Sequence, residues 1–188
     1  APQIYGNPWL LRDEEFPKLA RIFNLHYRNR DILVHGMQLP AGYGPHAVAR
    51  GDGKKRFVTL RNLSWQPTNY TVRLDKEIGL SEEGSVEVRR YHPSEEIIGQ
   101  FDYGEVLQVE VDPFRSCLIM ATTAPCEELG VEGCAYEVVR DTPGKAAKLK
   151  LLGMPAETAK VRLRAGSRDF SKALLDGKEV PLPGGEEI

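Results

Sequence analysis

A mainly β fold, an antiparallel β-sandwich preceded by one N-terminal helix, is the class this sequence predicts, and three observations predict it. Apolar residues recur at helical spacing only once, within the first forty residues. From about residue 46 onward they alternate with polar ones, the period of a half-buried strand. Clusters of Gly, Pro, Asn and Asp separate the alternating runs, which is the punctuation of short strands joined by tight turns.

The helix is expected over residues 13–30. Asp13 is placed to cap it, Glu14 and Glu15 suit its positive end, and Pro17 falls in the first turn, where a missing N–H does least harm. Phe16, Leu19, Ala20, Phe23 and Tyr27 form one stripe. Arg28 and Arg30 suit the far end, and Gly36 follows. A hairpin is then expected from strands at 46–50 and 56–62 around Gly51-Asp52-Gly53, since such turns need positive φ. Further strands are expected at 70–74, 85–89, 106–111, 116–121, 136–140, 147–152 and 159–163. Turns fall at Gln66-Pro67, Asp102-Tyr103-Gly104 and Thr142-Pro143-Gly144. Three segments follow: 1–40 with the helix, 41–124 as the sandwich, and 125–188 as an additional small β unit and tail. The seam lies near 125–133, and the Pro/Gly-rich end, 181–188, has a linker's composition. The chain opens in mid-pattern without Met or a signal peptide, so further sequence is expected upstream of Ala1.

At 188 residues with 41% hydrophobic content the chain can bury a substantial core without a metal or disulfide staple. A net charge of −2 with scattered Lys and Arg argues against nucleic acid and anionic membrane partners, and no apolar run approaches the ~20 residues of a spanning helix. Lys54-Lys55-Arg56 reads as a solvated turn. Cys117 lies in an apolar run and should be buried. Cys126 and Cys134 could close a short loop in an oxidising compartment, and the odd count leaves one thiol over.

The chemistry-bearing patterns are sparse. Glycosidic hydrolysis needs two carboxylates about 5–9 Å apart. Glu82-Glu83, Glu95-Glu96 and Glu127-Glu128 are adjacent pairs of the kind that usually stay solvated, and neighbours on a strand point to opposite faces. His26, His35, His46 and His92 show neither metal-ligand spacing nor a nucleophile beside them, and no phosphate loop, dinucleotide fingerprint or Gly-x-Ser-x-Gly occurs. No catalytic residue, metal site or cofactor is therefore expected. Arg50-Gly51-Asp52 spells an integrin-binding tripeptide but reads as a hairpin apex. Flat rings that stack on sugar faces are the remaining candidates: Trp9, Trp65, Tyr43, Tyr70 and Tyr103.

A resemblance adds to these readings. Phe57-Val58-Thr59-Leu60-Arg61-Asn62-Leu63-Ser64, then Pro67 and Tyr70-Thr71-Val72-Arg73-Leu74, resembles the first strands of the C-terminal β domain of α-galactosidase-like (melibiase-type) glycoside hydrolases. Tyr5-Gly6-Asn7-Pro8-Trp9, Leu19-Ala20-Arg21-Ile22-Phe23 and the run from Tyr27 to Leu33 resemble the last barrel segment and closing helix of that family. Val111-Asp112-Pro113-Phe114-Arg115-Ser116 resembles its closing sandwich strand. The likeness spans about residues 1–121. It implies a (β/α)₈ barrel upstream that carries the catalytic carboxylates at its strand ends, and a secreted or periplasmic setting. No residue here matches a catalytic motif of that family. The expectation is a non-catalytic sandwich whose partner is the catalytic barrel of a parent chain. The alternative is a carbohydrate-binding module whose partner is a glycan.

Overall fold

The computed structural model describes residues 8–181. The Tyr5-Gly6-Asn7 part of the barrel-like motif and residues 182–188 of the expected tail lie outside the described residues.

A 3₁₀ turn, Pro8–Leu10, leads into helix α1, Glu15–Arg28, and a short α2, Arg30–Leu33. The helix starts two residues later than the sequence suggests, and Asp13 is not its cap. Glu14 stands at the cap position, and the Glu15 carboxylate reaches back to accept the Arg12 N–H at 2.8 Å. Asn29 closes α1, donating both its backbone and its side-chain N–H to the Leu25 carbonyl.

Among the described residues fourteen strands follow: β1 Gly36–Gln38, β2 Val48–Gly51, β3 Lys55–Arg61, β4 Thr68–Arg73, β5 Ser85–His92, β6 Glu96–Asp102, β7 Val106–Val111, β8 Ser116–Thr122, β9 Gly130–Glu132, β10 Ala135–Arg140, β11 Lys148–Leu152, β12 Arg162–Arg164, β13 Ala173–Leu175 and β14 Lys178–Val180. Eight of them form one sheet in the order β1-β2-β3-β8-β5-β6-β9-β12. Strands β4 and β7 pair separately and cover one face of it. Between the two layers lies the main core, with Val58, Leu60, Val72, Leu74, Ile78, Leu80, Val86, Val88, Ile119 and Ala121 all essentially sealed from water. Strand β7 shows the cause most simply: Leu107, Val109 and Val111 alternate inward while Val106, Gln108 and Glu110 face out.

Two features depart from a regular antiparallel sandwich. One layer has only two strands, and β9 joins β6 in parallel through Ile97 and Glu132. Strands β1, β6, β9, β13 and β14 were not expected, and the strand expected at 159–163 forms at Arg162–Arg164. Strand β6 escapes a period-two reading because it carries an extra residue, Ile98, between the Val88–Gly99 and Arg89–Ile97 pairs, next to Gly99 at φ 150°. The β10–β11 hairpin packs a second cluster, Val131, Tyr136 and Val138, against Ile97 of the main sheet. The segment after residue 125 is thus stitched into the large sheet through β9 and β12.

The second face of the sheet is covered by the helices. Phe57, Tyr91 and Met120 form a third cluster with Leu25, Ile32 and Leu33. Cys126 packs there, Cys134 packs in the β10–β11 cluster and Cys117 in the main core, so Cys126 and Cys134 do not meet and all three thiols are free. Burial pushes the Cys117 thiol up to about 11, which makes it a poor nucleophile.

The hairpin between β2 and β3 is closed by Asp52, whose carboxylate accepts the Lys54 and Lys55 N–H groups at 2.9 and 2.8 Å. Arg50 donates to the Leu33 carbonyl at 3.1 Å, so the integrin-like tripeptide is tied into the fold at both ends. Gly51 has φ 140°, and a Cβ there would lie 1.9 Å from the Lys55 carbonyl oxygen. Gly51→Ala is therefore expected to destabilise the protein by about 3 kcal/mol, read as a lower urea midpoint with an unchanged m-value.

Candidate functional site

The junction between α1 and the sheet is the most chemically dense part of the protein. Arg21 projects from the inner face of α1 and is buried. Its Nε and Nη2 donate to the two oxygens of Glu95, each at 2.9 Å, in a planar fork. Nη2 also donates to Glu128 Oε2 at 3.1 Å, and the same oxygen accepts the Tyr91 hydroxyl at 3.0 Å. Arg89 donates to the Glu128 backbone carbonyl and pairs with Glu87. Asp141 lies 3.7 Å from Arg21 Nη1 and 3.6 Å from Arg28, and its other oxygen pairs with Arg168. Four guanidiniums (Arg21, Arg28, Arg89, Arg168) thus face four carboxylates (Glu87, Glu95, Glu128, Asp141).

Burial alone works against the charge of Arg21, but the bond from Glu95 and the fields of Glu95 and Glu128 outweigh it, and the guanidinium's pKa is raised. Burial and then the Glu128 charge hold the Tyr91 phenol well above its ordinary value, so it remains a donor. The expectation that the adjacent acids are solvated is overturned for one member of two pairs. Glu95 sits in the turn between β5 and β6, Glu128 just before β9, and both turn inward to Arg21. Glu96 instead pairs with Arg90, and Glu82 with Lys54 at the surface. No local pattern marks Glu95 and Glu128. Arg21, set opposite the apolar stripe of its helix, was the one available sign.

A cavity of about 940 Å³ opens between α1, the outer face of β3, β5 and β8, and β10. Ile22, Leu25, Phe57, Leu118, Tyr136 and Val138 supply much of its wall, with Arg21 and Glu95 among its polar groups. The chemistry available there is limited. Both Glu95 oxygens are engaged by Arg21, and Glu128 Oε2 by Arg21 and Tyr91, so the two do not stand open together to a glycosidic bond and a water as an acid–base pair must. Among the described residues no group of three or more His, Cys, Asp or Glu is placed to hold a metal.

Because Arg21 fixes the inner face, the apolar stripe of α1 points away from the sheet. Phe16, Phe23 and Tyr27 are 43%, 37% and 66% exposed. The Arg30 guanidinium lies over the Tyr27 ring at 4.5 Å.

The five rings proposed for sugar stacking separate into two groups. Tyr43 and Tyr70 are buried in the main core, where the Tyr43 hydroxyl donates to Glu77 at 2.7 Å and the Tyr70 hydroxyl to the Arg61 carbonyl at 2.9 Å. Tyr70 is inward because it stands opposite Val109 on the core face of β4. Tyr103 is half-buried, and its hydroxyl receives the Lys76 N–H at 3.1 Å. None of these three offers an open ring face. Trp65 does, at 82% exposure, and Trp9 is 90% exposed. Trp65 meets Phe114 edge-on, with centroids 4.7 Å apart and planes at 84°.

No protein-family model matches the chain, and no curated protein does. Among solved structures, one described as an α-N-acetylgalactosaminidase from Bacillus halodurans C-125 is similar over 42% of this chain and 18% of its own, at 22% identity and a TM-score of 0.35. A GH27 β-L-arabinopyranosidase from Geobacillus stearothermophilus, solved with arabinose, is similar over 42% and 17%, at 23% identity and a TM-score of 0.33. The chain spans less than a fifth of the length of either of these glycosidases.

Removing the cation at the centre of the cluster would leave Glu95 and Glu128 buried without the guanidinium that they share. Arg21→Met is expected to cost about 3–5 kcal/mol in chemical denaturation. Arg21→Lys should recover only part of it, because an ammonium cannot reproduce the fork.

Proposed function

We propose that this chain is the non-catalytic β-sandwich portion of a carbohydrate-active enzyme, an α-galactosidase-like glycoside hydrolase, and that the outer face of α1 seats the enzyme's catalytic barrel. One observation carries this reading: an amphipathic helix is pinned to its own sheet by its charged face and turns its aromatic face outward. A helix that served only this sandwich would bury that stripe. A contiguous exposed apolar face is the mark of an interaction surface. The likeness of residues 1–40 to the end of a catalytic barrel supports the identity of the partner. The engaged state of Glu95 and Glu128 supports a non-catalytic role.

A second reading, a carbohydrate-binding module, is favoured by Trp65, an open indole on a loop that is otherwise fastened by hydrogen bonds.

The main reading is tested by assaying the chain, residues 1–188, against aryl-galactosides and related glycosides. No turnover is expected, and turnover lost on replacing a single Asp or Glu would overturn it. A second expectation concerns the helix face. Phe16→Gln with Phe23→Gln should cost this chain no more than about 1 kcal/mol per site, against ~3–5 kcal/mol for emptying a buried Phe site. In an enzyme that carries the barrel, the same pair should cost several kcal/mol and weaken activity with it.

A further inference from the structure

Residues 62–67 and 112–115 meet at one end of the sandwich, and both are built more firmly than the exposure of their side chains requires. Asn62 is 1% exposed. Its amide donates to the Gln66 and Val111 carbonyls at 2.7 and 2.9 Å, and its oxygen accepts the Ser64 N–H and hydroxyl at 2.8 and 2.7 Å. Its backbone N–H bonds the Arg115 carbonyl, so one side chain and its peptide rivet the two loops together. Across from it, the Arg115 N–H returns to the Asp112 carbonyl around Pro113 and Phe114, and Phe114 has φ 54°. Proline second and positive φ third are the marks of a type II turn, whose third position ordinarily takes Gly. A bulky ring at that position is held against its backbone preference.

What this arrangement presents is an indole, 82% exposed, and a phenyl ring, 51% exposed, standing at right angles. We infer that Trp65 and Phe114 form the floor and wall of a subsite for a neutral saccharide of one or two pyranose units. The ligand class rests on the carbohydrate-active reading above, and Phe114 lies outside every sugar-stacking candidate read from the sequence. Size supports the choice. At roughly 200 Å² for each fully exposed side chain, Trp65, Phe114 and the neighbouring Leu63 offer on the order of 400 Å². That is about half of the ~800 Å² each partner gives to a stable protein interface. Charge supports it too, since Asp112 and Arg115 flank the turn with opposite signs and leave it without a net preference. The apolar C–H face of a pyranose can lie on the indole while its edge meets the phenyl ring, and the exposed Gln66 beside them can bond its hydroxyls. The loop backbone that carries the rings is braced by Asn62 before binding, so less ordering entropy is lost.

The test is an NMR titration of the full chain with galacto- and gluco-oligosaccharides, following the two indole N–H signals, assigned with a Trp9→Phe variant. The Trp65 signal should move at millimolar sugar while the Trp9 signal stays. Trp65→Ala should abolish the saturable shifts elsewhere in the loops. Phe114→Gly should keep or raise Tm, since glycine relieves the turn, yet weaken binding about tenfold. That combination is one a purely structural phenylalanine could not give. A stationary Trp65 signal across the panel overturns the site, as does equal affinity in Phe114→Gly. Concentration-dependent broadening without sugar, the sign of a copy-to-copy contact, overturns it as well. Those failures would leave the barrel-supporting role intact, whereas glycoside turnover by the chain alone would remove that role and leave the titration standing.

Discussion

The bond between Arg21 and Glu95 is the interaction on which the arrangement of this protein depends. It joins the helix to the turn between β5 and β6, and through Glu128, Tyr91 and Asp141 it reaches the segments before β9 and after β10. A fourteen-residue helix is marginal in water on its own, and most helices are held by an apolar face against a core. Here only Leu25 with Ile32 and Leu33 of α2 contribute that kind of contact. The remainder is a directional, charge-assisted fork, and direction is what an ionic contact supplies and an apolar one does not. The helix cannot rotate about its axis without breaking the fork. The aromatic stripe is consequently held outward.

Much of the β architecture was legible in the sequence because it follows from alternation. Strands β3, β4, β7 and β8 fall where the period-two pattern puts them, and the Gly-Asp-Gly turn joins β2 to β3. Legibility ended where burial is decided by partners far away in sequence. Glu95 and Glu128 look like any other paired surface acids, and what makes them core residues is a cation more than seventy positions upstream. The stripe on α1 was visible, but a stripe does not say which side of a helix docks. Likewise Tyr43 and Trp65 are both aromatic residues near turns. A 3₁₀ turn, Ala41–Tyr43, sends one into the core, and a loop leaves the other in solvent.

The protein divides its surfaces by layer. The two-stranded β4–β7 layer has the sole task of sealing the main core. The opposite face of the large sheet carries the helices, the cavity and the buried charges. The loop end, with Trp65 and Phe114, belongs to neither face and is braced around Asn62. A change at one of these places need not disturb the others. Support of a partner and contact with a small ligand can therefore coexist on one modest scaffold.

The position of β8 has its own consequence for how the chain is made. This strand lies between β3 and β5, although it is the last of the three in sequence. During synthesis, β3 and β5 leave the ribosome with no way to lie side by side, because the space between them belongs to residues 116–122. Until those residues emerge, the two halves of the sheet expose unpaired edges flanked by Val58, Leu60, Val86 and Val88. Closure is then a single late, long-range event, the kind that sets a slow folding rate and a window for misassembly.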